Sequence, residues 1–434
     1  MNRQNPNSSQ SLRPFLVLWT GQAVSLLGSQ LVQFALIWWL TQETGSATVL
    51  ALASLVGLLP QVILGPFVGV LVDRWNRRLT MLFADILVAV ATLTLAYLFS
   101  TGAVQLWHIY SLLLVRALGG AFHWPAMMAS TTLMVPDDKL TRIQGLNQTL
   151  NGAMNIAAAP LGALLLAILP LQGILAIDMV TAIFAVVPLI FIHIPQPERK
   201  SEISGLEELK GSYWDDLREG LRYVLTRRAL IILMGLAMLV NAVLSPVFSL
   251  IPLLVKEHFA GTAWHFGAIE AAAGIGMLTG GVVLSLWGGF KRRVSTTLVG
   301  LVCLGLSIFL LGMMPANMFI LAVAMAVLAG FMIPMIDGPL LAILQAIVAP
   351  EVQGRVFTLL ASLSKAMAPL SLIIAGPVAD LIGIRSWFIV GGFVTLILGM
   401  AGFFIPQLLH IEEQGDLGVG DHVKEELPLQ EITA

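Results

Sequence analysis

Charge is what this sequence has least of. Only 11% of its 434 residues are charged while 57% are hydrophobic, and the mean hydropathy is +0.89. A soluble domain carries about 25% charged residues. A chain this long with so few has no polar surface to show water, so the solvent for most of it must be lipid. Cysteine is nearly missing too: Cys303 stands alone inside an apolar run, which excludes disulfides. No Walker A loop, His-x-x-x-His metal pattern or nucleophile elbow occurs, and no polar stretch is long enough for a sensor domain. The expectation is therefore not an enzyme, with no catalytic residues, cofactor, metal or nucleic-acid partner. No cleavable leader is expected, because residues 1–10 are polar and the first apolar run is already long enough to span.

What the chain does have is apolar runs. A spanning helix needs roughly 20 mostly apolar residues. Such runs predict segments near 14–40, 47–72, 79–100, 105–134, 140–169 and 171–194. Six more follow near 229–255, 264–288, 294–314, 316–348, 354–382 and 386–409, with divisions placed at Pro170 and Pro315. The predicted fold class is an all-α membrane protein of twelve transmembrane helices in two six-helix bundles. Its parts are 1–195, a linker at 196–228, 229–410, and an acidic tail at 411–434. In the linker Leu206, Leu209, Tyr213, Leu217, Leu221 and Val224 recur at spacings of three and four, which predicts an amphipathic helix. It either lies on the headgroup surface or connects the bundles in water.

Basic residues check the count independently, since cytoplasmic loops carry the excess of Lys and Arg. With both termini cytoplasmic, the inner loops hold Arg74, Arg77 and Arg78; Lys139 and Arg142; Lys291, Arg292 and Arg293; and Arg355. With the linker and termini added, 19 of the 23 basic residues lie on that side. Lys256 and Arg385 lie on the other, leaving Arg116 and Lys365 within apolar segments. Moving the topology by one helix destroys this segregation. The expected location is the cell (inner or plasma) membrane, multi-pass, with the bilayer as surroundings.

The two halves also repeat. Pro125 and Pro136 in and after the fourth segment match Pro339 and Pro350 around the tenth, at one offset of 214, and each block runs on through an acid to Arg142 or Arg355. Proline bends a spanning helix and frees a carbonyl, so matched prolines mean matched bends. Six helices plus six as parallel repeats is the plan of alternating-access transporters.

Between segments two and three stands Gly69-Val-Leu-Val-Asp73-Arg74-Trp75-Asn76-Arg77-Arg78. It resembles the signature loop of the major facilitator superfamily, with Asn76 in place of a glycine. The first half resembles in particular the macrolide-efflux and siderophore-export branch, the type 3 drug:proton antiporters. The features are Trp19, Gln22, Ser25 and Gly28 in segment one, then Thr44-Gly-Ser46, Pro60 and Gly65-Pro66, and further on Arg116, His123-Trp124-Pro125 and Asp178. The Gly-Pro-x-x-Gly-Gly pattern of many drug antiporters survives only in part, as Ala159-Pro160-Leu161-Gly162-Ala163. The resemblance implies a secondary active transporter, a monomer that exports an apolar or amphipathic, drug-like small molecule in exchange for protons. The same family resemblance leaves open export of a specific metabolite such as a siderophore, or uncoupled facilitation.

Candidate residues follow. Gly69, Asp73, Arg74, Arg77 and Arg78 form a gating loop, in which a carboxylate near the positive N-terminal end of segment eleven latches the inner side. Arg77 and Arg78 would hold neighbouring acids or lipid phosphates, and Asp85 reads as a partner of the latch. Charges within apolar segments are functional candidates by default. Glu270 is the first choice of proton carrier, with Asp337 and Asp178 behind it. Arg116 and Lys365 are intramembrane bases, balanced by Asp178 and by Asp337 or Glu270, which also fits two fixed ion pairs. His123 and Asp337 occupy equivalent repeat positions and are candidates for a facing pair. Gln22, Ser25 and Gln33 in segment one, and Asn147, Asn151 and Asn155 along one face of segment five, either line a cavity with His123 or glue helices together. Trp38, Trp39, Trp107 and Trp264 read as interfacial anchors.

Overall fold

The computed structural model describes residues 12–196, 218, 220–349 and 352–412; the side chains at 66, 69, 70, 73, 74 and 137 are outside that description. Helix ends follow local chemistry. α1 (Arg13–Thr44) stops where Gly45 takes φ 59°, a left-handed value that glycine reaches without a Cβ clash. α2 (Ala47–Arg74) begins at Ser46, whose hydroxyl accepts the Val49 N–H, and α3 (Arg77–Ser100) at Asn76, whose side chain accepts that of Leu79. α4 (Leu106–Met134), α5 (Asp137–Ile168) and α6 (Leu171–Phe191) complete the first half, with Pro136 and Pro170 capping the last two.

The second half contains α7 (Arg228–Ser249), the short α8 (Ile251–Glu257), α9 (Ala263–Trp287), α10 (Arg293–Met313), α11 (Phe319–Ile347), α12 (Gln353–Ile382), α13 (Ile384–Gly402) and the short α14 (Pro406–Leu409). Two spanning helices are shorter than their apolar runs. The run at 229–255 breaks at Leu250, just before Pro252, and the run at 386–409 breaks at Phe403. Hydropathy cannot see either break because the residues on both sides are apolar.

Among the described residues, twelve helices are long and apolar enough to cross a membrane. Their outward side chains are apolar as well: Leu286, Ile320, Leu381 and Phe191 are 83, 84, 85 and 81% exposed. Water penalises such a surface and lipid does not. The chain is a multi-pass membrane protein. Its halves share one neighbour map: the pairs α2–α4, α3–α4, α3–α6, α1–α5 and α1–α6 recur as α9–α11, α10–α11, α10–α13, α7–α12 and α7–α13.

Arginines tie helix C-terminal ends, where carbonyls lack partners and the macrodipole favours a cation. Arg78 donates to the Leu189 and Ile190 carbonyls of α6; Arg77, buried, donates instead to Ala129, more than a turn before the end of α4. Like Arg78 at α6, Arg385 ties Gly312 and Met313 of α10, and Arg227 ties Ile347 of α11. These bonds of Arg77 and Arg78 go to backbone carbonyls of their own half. Of the linker, Val224 is fully buried in the second half's core and Tyr223 pairs with Ile347 and Ala349. The part of it described is a docked connector; the rest of the predicted amphipathic stretch, and nearly all of the acidic tail, lie outside the described residues.

Two helix pairs make the main contact between the halves, α2 with α12 and α5 with α9, and α1 with α8 and α2 with α7 add smaller ones. α2 and α12 run antiparallel. At the end away from the basic loops, residues of both halves form one hydrophobic core, including Leu36, Leu50, Ile251, Phe266 and Ala379. At the basic-loop end the cores are separate, one around Phe15 and Met81 and the other around Leu298 and Val356. Among the described residues, the halves share one core at the far end and keep separate cores at the basic end.

Candidate functional site

A cavity of about 350 Å³ lies within the first half, and all of its lining residues come from α1, α3, α4, α5 and α6. Short-period geometry explains the polar lining: Gln22, Ser25 and Ser29 are spaced three and four apart on α1, and Asn147 and Asn151 four apart on α5, which puts each set on one helix face. The remaining walls include Trp19, Trp124, Met127 and Met128, with Leu26, Val88, Leu150 and small residues between them.

Two charge clusters sit in it. Arg116 donates to Asp178 Oδ2 at 2.9 Å and to the Ser29 carbonyl at 2.8 Å. Ser29 and Thr92 also donate to the Asp178 carboxylate, which is 3% exposed. Buried charges survive in low dielectric only when paired and hydrogen-bonded, and this one is. The second cluster is incomplete. Gln22 donates to Asp85 Oδ2 at 3.1 Å, and Trp19 to Asn147 at 2.7 Å. His123 Nε2 stands 3.4 Å from Asp85 Oδ1, yet it is buried without a hydrogen bond among the described residues.

The structure redistributes the predicted residues. Asp85 lies in the cavity against Gln22 and His123, because it is two turns into α3 and its face turns inward, not toward the loop. His123 pairs with this acid of its own half. Asp337 does not face it; it lines a second cavity of about 100 Å³ between α7, α10 and α11, with Asn241 and Thr297. Gln33 and Asn155 are not among the lining residues; the Asn155 carbonyl is instead at the α5–α9 seam, where an added Cβ on Gly274 would sit 2.8 Å from it. Lys365 is exposed, and among the described residues it has no carboxylate within 4.0 Å, so it pairs with neither Asp337 nor Glu270. Glu270 is on the α9 face that Gly267 and Gly274 press against α5. The side chains of Asp73 and Arg74, and with them the inner latch, lie outside the described residues.

Sequence reasoning missed Ser29, Trp124 and the two methionines. Ser29 follows Ser25 by four, so the stripe on α1 was extendable; Met127 and Met128 carry no signal separating cavity wall from core. It also misread Trp38, which is 6% exposed and stacks on Phe266 rather than anchoring in an interface.

The superfamily model matches residues 18–370, under the description Major Facilitator Superfamily. The chain belongs to that superfamily. It is a transporter, not an enzyme. Macrolide efflux protein A of Streptococcus pyogenes is 34% identical over 387 residues, covering 89% of this chain and 94% of the relative. The protein of the same description from Enterococcus faecalis is 31% identical, covering 76% of this chain and 100% of the relative. The multidrug efflux pump Tap of Mycolicibacterium fortuitum is 25% identical, covering 92% and 97%. Among solved structures, a nucleoside transporter superposes with TM-score 0.66 at 14% identity, over 88% of this chain and 98% of its own. That likeness concerns the fold alone.

Proposed function

We propose that this transporter exports amphipathic organic cations from the cytoplasm by alternating access, in exchange for protons. The observation that carries the proposal is the incomplete cluster: Asp85, with an unbonded His123 Nε2 at 3.4 Å, among Trp19, Trp124, Met127 and Met128. Indole faces and thioethers accept both an apolar body and a positive head. Asp85 supplies the counter-charge. A proton held between His123 and Asp85 neutralises the same carboxylate, so substrate and proton compete for it, and that competition is what exchange requires. The efflux names of the relatives support outward transport of drug-like molecules. The basic loops support a cytoplasmic basic end, so that both termini are cytoplasmic and the gap between the halves faces the cytoplasm; in this reading the protein works as a monomer in the cell membrane. Glu270, at the seam between the halves, is the second proton carrier in this reading.

The test is transport of a fluorescent lipophilic cation in proteoliposomes under an imposed pH gradient. Transport should collapse when the gradient is dissipated, and Asp85→Asn should lower the rate by at least about tenfold, since a charged contact contributes ~1.5–3 kcal/mol. Persistence without a gradient would make the protein a facilitator. A full rate in Asp85→Asn would remove the cavity from the mechanism, and full gradient-dependent export in Glu270→Gln would remove Glu270 alone.

A further inference from the structure

The contacts that close the far end are built from charges the cavity does not use. Asp380 stands in the last turn of α12, a poor place for an acid, because a helix's own dipole is negative there. Its carboxylate reaches across to the first half. Oδ1 accepts the Ala47 N–H at 2.6 Å, and Oδ2 accepts the Thr48 N–H at 3.0 Å, the Thr48 hydroxyl at 2.6 Å and the Ser46 hydroxyl at 3.0 Å. These donors are the N-terminal turn of α2, whose first N–H groups have no partner within their helix. The acid that its own helix disfavours is held by the positive end of another.

A second clasp of opposite sign lies beside it. Lys256, on the short α8, donates to the Thr41 and Gln42 carbonyls at 2.8 and 3.0 Å. Those are the C-terminal carbonyls of α1, the negative end of that helix. Thus the α1–α2 turn is gripped on both sides by the second half, each helix end by the charge its dipole favours. Below the clasps Phe266 of α9 stacks on Phe34 and Trp38 of α1, with ring centroids 4.8 and 5.9 Å away. The Gly376 backbone of α12 comes so close to α2 that an added Cβ would lie 2.7 Å from the Thr48 Cα.

We infer that Asp380, assisted by Lys256, is the latch that holds the far end shut, and that it releases when the cavity opens to that side. The inference rests on the alternating-access reading. It also gives the α2–α12 pair a simple logic. The helices are antiparallel, and each carries an acid in its last turn, Asp73 on α2 and Asp380 on α12. The sequence predicts that Asp73 latches onto the start of α12 at the basic end; Asp380 makes the reciprocal bond, with the helices' roles exchanged, at the far end. Both rely on the same chemistry, a carboxylate on a helix N-terminus, so rocking trades one latch for a similar one and leaves the two states near in energy.

The test is the distance between spin labels on Thr101→Cys and Asn317→Cys, both exposed far-end positions in opposite halves, in the full chain with Cys303→Ser, in lipid nanodiscs. Asp380→Asn keeps the shape and removes the charge; it should raise the ratio of the long-distance to the short-distance population by about tenfold. Lys256→Met should move it the same way by less, and Asp380→Glu should stay near the parent. Thr48→Val, which removes one donor and leaves the backbone, covers the case in which Asp380→Asn is not monodisperse, and should also lengthen the distance. An unchanged distribution in Asp380→Asn, or in Thr48→Val where that variant stands in, overturns the latch. The readout needs neither substrate nor gradient. Failed export with a shifted distance therefore counts against the transport reading, and normal export with an unshifted one against the latch.

Discussion

Arg116→Met is expected to destabilise the protein by about 3–5 kcal/mol, the cost of stripping one partner from a buried ion pair. Asp178 is 3% exposed, and without Arg116 its remaining partners among the described residues are the Ser29 and Thr92 hydroxyls. Arg116 is held just as firmly: besides the carboxylate it bonds the Ser29 carbonyl of α1, so the pair fastens α4 and α6 to α1. Replacing both partners by apolar residues of similar volume, Arg116→Met with Asp178→Leu, removes the charge as well as the partner and should recover most of the loss. The measurement is the unfolding midpoint of purified protein in one detergent for the parent, the single variant and the double variant. Equal midpoints for single and double would show that the uncompensated charge is not what matters. The same comparison separates a fastening role from a proton-carrying one. A double variant that is stable and still exports under a gradient would leave Asp178 with no part in coupling.

The residues of this pair were legible in the sequence because lipid makes an intramembrane charge conspicuous. The same logic found Glu270, Asp337 and Lys365, but it could not say who meets whom. Charge balance within each half gave the right partner for Arg116 and the wrong one for Lys365, since balance counts residues and ignores helix rotation. His123 and Asp337 illustrate the limit of the repeat. They occupy equivalent positions, and equivalence puts them in equivalent places of two bundles, which is the opposite of putting them together. Asp380 escaped attention because it sits at a segment end, where an acid costs little by hydropathy. The available signal was electrostatic: an acid in the last turn of a helix is misplaced unless a neighbour's N-terminus receives it. The segment count, by contrast, needed no tertiary information, because length, apolarity and the alternation of basic loops all constrain it.

Gly276→Ala should be among the costliest of the small substitutions, while Gly281→Ala, five residues on in the same helix, should cost nothing. Read as sequence, the two look alike. In the fold an added Cβ at position 276 would lie 2.1 Å from the Val327 carbonyl and 2.8 Å from the Phe331 amide, both backbone atoms of α11. A side chain can rotate away from such a contact; a helix backbone cannot, so α9 and α11 would have to separate along their length. Overpacking costs about 1–3 kcal/mol where neighbours adjust, and here the upper end or beyond is expected. At position 281 the added Cβ meets nothing within 4 Å, and alanine's better helix propensity is worth up to about 1 kcal/mol. The two variants should therefore move the unfolding midpoint in opposite directions. Close backbone approach is how helices associate where lipid removes the hydrophobic drive between them, and a midpoint in Gly276→Ala equal to the parent's would mean that this seam is not what holds α9 to α11.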